Sequence, residues 1–267
     1  MQPTEQQITI RHLSAKSETN LALHTDALQW QTHVSAPHAV AWLEPHHIYG
    51  TLQVALQTLF AAENFPDTYP EQELRYERDL AGKPYVSWNG TIAEWASARG
   101  LTSRHLHISN THDGGAHIVV AAYDPDLVGL GIDAVYLPRL MGRGKDAVYL
   151  RRFAARFMSV QEQAAFDLAS AQEGLEAIRL RAAAHFSLME AASKACGTGL
   201  KIGVGMGRVT SLPKQSLGVL ALAPNVELLF EGDAVAQLEA LGACRAEAYY
   251  SADATLLISL VLLWKTL

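Results

Sequence analysis

A chain of 267 residues, 49% hydrophobic and 18% charged, has ordinary globular composition and enough apolar material for a sizeable core, so disorder as its main state is excluded. Twenty-one Lys and Arg against 27 Asp and Glu leave a formal charge of −6, which excludes a chain that works throughout as a polycation on nucleic acid. No apolar run reaches the roughly 20 residues of a membrane-spanning helix, so no membrane partner is expected. The start, MQPTEQQITIRH, is polar and lacks the basic-then-apolar order of a secretory signal. Two cysteines, Cys196 and Cys244, fit a reducing compartment better than a disulfide scaffold, and a cytoplasmic protein is expected.

In chain order, the first 60 residues carry weak signals. Leu52, Ala55, Leu56, Leu59 and Phe60 then recur at helical spacing, and Pro66 and Pro70 break the pattern. Gly82-Lys83-Pro84 predicts a turn into an extended piece, and 91–100 a short helix ended by Gly100. A hairpin is expected from strands at 106–110 and 117–123, with 111–115 as its loop. Residues 128–133 read as a buried strand delivering Asp133 at its end. Helical patterns follow over 148–169 and 173–196, the second stopped by Gly197. Strands are predicted at 226–230, 245–250 and 254–263, so the fold class is α+β. A turn-to-strand string at 109–121 is echoed at 251–261, as two similar halves would produce.

Two places carry chemistry. Asp133 follows Gly129 and Gly131, which give it little side-chain cover, and a buried aspartate needs a cation, an amide or a metal as partner. Glu190 and Lys194 share one helix face at i, i+4, where a surface ion pair is the plain reading and a metal ligand or base beside a phosphate-binding lysine the functional one. Between Arg139 and Arg156, six cations (Arg139, Arg143, Lys145, Arg151, Arg152, Arg156) face one acid, Asp146. That stripe is either a solvated helix face or a dock for something acidic.

Residues 129–140, GlyLeuGlyIleAspAlaValTyrLeuProArgLeu, resemble the glycine-isoleucine-aspartate motif of the 4′-phosphopantetheinyl transferases, especially its form in holo-acyl-carrier-protein synthases. Residues 186–200 resemble the family's second signature, an aromatic, a small hydroxyl residue, then Lys-Glu-Ala with a Lys four residues after the Glu and a closing Gly-x-Gly-Leu. Arg156 to Phe166 is similar to the family's Phe-Ser-x-x-Glu helix start. Gly82-Lys83-Pro84 and Ser109-Asn110-Thr111 resemble pieces of the larger, surfactin-synthetase-activating type.

The resemblance implies two similar α+β halves related by a pseudo-two-fold, 1–125 with coenzyme A phosphate contacts and 126–267 with the metal site and carrier dock. The activity implied is Mg²⁺-dependent transfer of the 4′-phosphopantetheine arm of coenzyme A to a serine of an apo carrier protein. In it Asp133 and Glu190 would hold Mg²⁺, Glu190 would accept the serine proton, and Lys194 would offset phosphate charge. Lys83, Ser109, Asn110 and Lys194 would contact the coenzyme. The acidic carrier would meet the basic stripe, and one chain holding both halves is expected as a monomer. Departures are Met189 where the signature has Lys, Asn110 where it has His, and Val135 or Tyr136 where it has a further acid. Arg75 and Arg78 are candidates for the coenzyme 3′-phosphate, with His112 and His117 as substitutes for the lost cations. The alternatives are an inactive relative acting as an adaptor for carrier or coenzyme, and an unrelated α+β domain.

Overall fold

The computed structural model describes residues 6–14, 17–25, 29–35, 52–53, 55–57, 59–60, 63–80, 82–114, 116–141, 146–172, 174–198, 207–211, 227–230, 233–252 and 255–265. The class is α+β, as the residue pattern predicts. Strands β1 (Gln6–Ser14), β2 (Ser17–Thr25), β3 (Gln29–Ser35), β6 (Leu106–Asp113) and β7 (Ala116–Tyr123) make a five-stranded sheet in the order β2-β1-β3-β7-β6. A second sheet, β11-β12-β8, is antiparallel and is built from β8 (Leu127–Tyr136), β11 (Arg245–Ala252) and β12 (Leu256–Trp264). Two further strand pairs are β4 (Leu74–Arg78) with β5 (Pro84–Trp88), and β9 (Gly207–Ser211) with β10 (Glu227–Phe230).

The helices include α1 (Gly90–Ser97), α2 (Ala147–Ala154), α3 (Val160–Gln172), α4 (Leu175–Cys196) and α5 (Asp233–Leu241), and the described residues among 52–59 are helical, as the spacing there predicts. None of them is long and apolar enough to cross a membrane.

The expected hairpin at 106–123 is present, but its first strand runs on to Asp113 instead of ending at Asn110. The single helix expected over 148–169 is two. Ser159 and Glu162 form a reciprocal capping box, Ser159 N donating to Glu162 Oε2 at 2.6 Å and Glu162 N to Ser159 Oγ at 3.2 Å, and this starts a new helix. Gly197 ends α4 in the left-handed region at φ 73°, as expected of a glycine there. The sequence pattern did not reveal β1 to β4, β9 or α5. The two echoed strings lie in the β6–β7 and β11–β12 hairpins.

Strand periodicity explains the layering. On β7, Ile118, Val120 and Ala122 enter one core with Leu130, Ile132 and Leu260, while Val119 and Ala121 enter another with Phe60, Ile92 and Trp95. Strand β12 is buried along its whole length, even positions in the first core and Leu257, Val261 and Leu263 against α4. Such two-faced burial requires the near-continuous apolar run that residues 256–264 supply.

On β8 the alternation decides the site. Leu130, Ile132 and Ala134 face the first core, so positions 129, 131, 133 and 135 face α4. Two of the four are glycines for a steric reason. A Cβ on Gly131 would lie 1.9 Å from Ala191 O, and one on Gly129 would lie 2.5 Å from Ala195 O. The helix backbone rests directly on the strand.

Candidate active site

That close approach sets Asp133 against α4. Along the helix, Ala195 and Ala191 meet Gly129 and Gly131, and Ser187, one turn earlier, comes to Asp133. The adjacent row of α4, Phe186, Glu190 and Lys194 at i, i+4 and i+8, lines an open cleft of about 450 Å³. Its other walls are Arg78, Gly82, Lys83 and Pro84 from the β4–β5 hairpin, Ser109 to Asp113 from β6, and Asp133, Ala134 and Arg139. The structure thus brings Lys83, Ser109, Asn110, Asp133, Glu190 and Lys194 to one cleft.

The carboxylates are not paired as helix spacing alone would have it. Lys194 Nζ donates to Asp133 Oδ1 and to Ile132 O, each at 2.9 Å. Thr111 Oγ1 also donates to Asp133 Oδ1, at 3.1 Å. Asp133 Oδ2 and the Ser187 hydroxyl are both buried without a hydrogen bond among the described residues, yet the hydroxyl lies close enough to favour ionised Asp133. Burial raises the Asp133 carboxyl, opposed by Lys194, Thr111 and Ser187. Burial first, and then the Asp133 charge, push Glu190 up to about 7, with Lys194 pulling the other way. Two carboxylates facing one cleft, one with an oxygen left over, offer oxygen ligands to a hard cation. No group of three or more His, Cys, Asp or Glu converges among the described residues, so water and phosphate oxygens would complete its shell.

Around them sit the cations. Lys83 lies along Gly197 and donates to Val128 O at 3.4 Å, and burial lowers its pKa. Arg78 donates to Gly82 O at 2.9 Å and lies over the Tyr76 ring. Asn110 Oδ1 accepts from the Tyr76 hydroxyl at 2.9 Å, and Ser109 Oγ accepts from Ile132 N at 3.1 Å. His112 lines the cleft, Arg75 does not, and the His117 side chain lies outside the described residues. Met189 is buried with Val135, Leu137 and Leu257, about 100° around the helix from Glu190, so it is a core side chain and no part of the cleft.

In the basic stripe, Arg139 pairs with Asp113 at 3.0 Å and Arg151 with Asp167 at 2.7 Å. Arg152 and Arg156 are exposed, and Arg143 and Lys145 lie outside the described residues. The cleft residues that the sequence reading missed are Thr111, Asp113 and Phe186. Strand alternation after Ser109 was the available signal for the first two.

Residues 129–235, the segment carrying Asp133, Glu190 and Lys194, match the family model of the 4′-phosphopantetheinyl transferase superfamily. The resemblance read in the sequence holds over that segment. No curated protein matches the chain. Solved structures similar to it include a holo-ACP synthase from Plasmodium yoelii, at 14% identity over 53% of this chain and 97% of that one, with a TM-score of 0.39. A holo-(acyl-carrier-protein) synthase from Bacillus anthracis, solved in complex with CoA (3′,5′-ADP), is 20% identical over 53% of this chain and 99% of that one, TM-score 0.37. The holo-[acyl-carrier-protein] synthase of Neisseria meningitidis is 24% identical over 51% of this chain and 98% of that one, TM-score 0.38.

Proposed function

We propose that the whole chain is a 4′-phosphopantetheinyl transferase that moves the phosphopantetheine arm of coenzyme A to a serine of an apo acyl or peptidyl carrier protein. The observation that carries this reading is the meeting of Asp133 and Glu190 in a cleft walled by Arg78, Lys83, Arg139 and Lys194. A site built for a polyanion and a hydroxyl nucleophile needs this combination of cations and carboxylates.

In the reaction, the serine oxygen forms a bond to the phosphorus that carries the pantetheine arm. The bond from that phosphorus to the bridging oxygen breaks, and adenosine 3′,5′-bisphosphate leaves. Asp133 Oδ2 and the Glu190 carboxylate would hold Mg²⁺, which when bound supplies neutralisation of the pyrophosphate charge. Glu190, with its pKa near 7, takes the serine proton directly or through water. Lys194 stays on Asp133 and turns its remaining donor capacity to phosphate oxygens. Lys83, with Ser109 and Asn110, contacts the coenzyme from the opposite wall.

The reading also takes 1–125 and 126–267 as pseudo-symmetric halves with the coenzyme between them, acting as a cytoplasmic monomer. Its support is that the cleft is lined from both sides of residue 125. The test is intact-mass spectrometry of an apo carrier protein incubated with the chain, coenzyme A and Mg²⁺. A phosphopantetheine mass gain that disappears in Glu190→Ala is expected. No gain over several carrier classes, with coenzyme binding retained, would replace the enzyme with an adaptor.

A further inference from the structure

Strands β6 and β8 are edges of two different sheets, and side chains rather than a backbone ladder join them. Alternate residues of β6 reach across. Ser109 Oγ accepts from Ile132 N, Thr111 Oγ1 donates to Asp133 Oδ1, and Asp113 Oδ2 accepts from Tyr136 N at 2.7 Å. Asp113 does more than close this seam. Its Oδ1 accepts from Gly114 N at 2.9 Å, so both carboxylate oxygens are fixed by backbone amides, and Oδ2 also holds Arg139 at 3.0 Å. The Asp113 side chain is 11% exposed, whereas that of Arg139 is 55% exposed. The pair therefore presents a guanidinium, anchored from behind, at the edge of the cleft that holds Asp133 and Glu190.

We propose that Asp113 is a positioning residue that fixes Arg139 to receive an oxyanion entering the cleft. The inference rests on the transferase reading for the identity of that oxyanion, a coenzyme phosphate or a carboxylate of an acidic carrier. The physical reason lies in entropy. A free arginine loses much of its rotamer freedom on capturing an anion, and one already held by a rigid carboxylate loses less. Charge alone would not require the arrangement, since Lys83, Arg78 and Lys194 already line the cleft. What Arg139 adds is a planar donor in a fixed place, suited to two-oxygen recognition of phosphate or carboxylate. Met189, at the place where a lysine stands in the related signature, is buried and supplies no such group.

The experiment is calorimetric binding of coenzyme A and, separately, of an apo acyl carrier protein to the full chain. The proteins are wild type, Asp113→Asn, Arg139→Gln and the double variant, with steady-state transfer measured alongside. Each single variant is expected to weaken one ligand by about ten-fold, the loss of one charge-assisted contact, read as a matching rise in that ligand's KM. The double variant is expected to bind no worse than Arg139→Gln, because Asp113 acts through Arg139. Weakening confined to coenzyme A makes the oxyanion a phosphate, and weakening confined to the carrier makes it a carboxylate. Multiplied losses in the double variant, equal weakening of both ligands, or an Asp113→Asn affinity equal to wild type would each overturn the proposal. Arg139→Gln leaves the seam intact, so it reads the anion contact even if Asp113→Asn fails to fold. A wild-type chain that binds neither ligand would instead sink the transferase reading and this inference with it.

Discussion

Lys194 Nζ lies 2.9 Å from Asp133 Oδ1, which makes the lysine of the long helix a partner of the β8 aspartate and not of Glu190 one turn before it. The consequence is a Glu190 carboxylate that forms no ion pair among the described residues and that burial, and then the Asp133 charge, push up to about 7 against the weaker pull of Lys194. Among the described residues, removing the lysine leaves the buried Asp133 with the Thr111 hydroxyl as its hydrogen-bond donor and Ser187 close by. Lys194→Met is expected to cost about 2–3 kcal/mol, below the upper range for a fully buried pair because Lys194 keeps some solvent contact. Asp133→Asn combined with Lys194→Met should cost less than the sum of the single changes. Urea unfolding of the four proteins measures the cycle.

The approach of α4 to β8 makes Gly131 a second place to test the site's architecture. An alanine there would put its Cβ 1.9 Å from Ala191 O and 2.6 Å from Ala195 N, and backbone cannot move aside as a side-chain tip can. Gly131→Ala is expected to lower stability by about 3 kcal/mol or more, at the upper end for overpacking. Gly174→Ala, where nothing lies within 4 Å, should change it by less than about 1 kcal/mol. Thermal unfolding compares them. Equal effects would mean that the helix does not rest on the strand as described.

Much of this site was readable from residue order alone, and the unread part has physical causes. Asp133 on a buried strand, Glu190 and Lys194 on one helix row and Lys83 after a turn could all be placed, because each sits in a strongly patterned segment, although the strand runs on to Tyr136 instead of ending at Asp133. The pairing of Lys194 across to Asp133 could not, since it depends on how closely two elements pack. Gly129 and Gly131 signalled that closeness only in hindsight. Asp113 was hidden by its Asp-Gly-Gly context, which reads as loop chemistry, while the structure carries the strand through it. The split between α2 and α3 was encoded in Ser159 and Glu162, which the family resemblance marks as a helix start, but the apolar pattern continuing on both sides reads as a single helix.

Burial of Glu190 gives a pH dependence with a definite sign. Its folded pKa of about 7 lies above the ordinary 4.5, so the folded chain binds a proton more tightly than the unfolded one between those values. Stability contributed by that proton is present at low pH and falls as pH rises from about 4.5 to about 7. Midpoints of urea unfolding at pH 5 and pH 7.5 should differ in wild type, and the difference should shrink in Glu190→Gln. If Asp133 and Glu190 hold Mg²⁺, its addition at pH 7.5 should restore the midpoint in wild type and leave Glu190→Gln unmoved.

Met189 invites restoration of the lysine found in the related signature, and the structure argues that this fails. The side chain is buried among Val135, Leu137 and Leu257. A lysine there must either desolvate its ammonium or pull the helix off the sheet. Met189→Lys is expected to lower stability by about 3 kcal/mol with no gain in coenzyme affinity, whereas Met189→Leu should cost less than about 1.5 kcal/mol. Calorimetry and thermal unfolding on the same samples read both quantities. Tighter coenzyme binding by a stable Met189→Lys variant would place the side chain in the cleft after all.

Arg152 and Arg156 are exposed members of the basic stripe that form no ion pair among the described residues, while Arg151 is tied to Asp167 and Arg139 to Asp113. Val148 on α2 with Arg152, and Val160 at the start of α3 four residues after Arg156, are exposed as well. That combination suits an acidic partner with an apolar ridge better than it suits a small nucleotide. Charge reversal at Arg152 and Arg156 together is expected to weaken binding of an acidic carrier by about ten-fold, mainly through a slower on-rate, and to leave coenzyme A affinity within about two-fold. The deficit should narrow as salt rises from 50 to 500 mM, because screening removes the steering that the arginines provide. Surface plasmon resonance across that salt series measures the effect. A loss that does not respond to salt, or one shared equally by coenzyme and carrier, would move the dock away from α2.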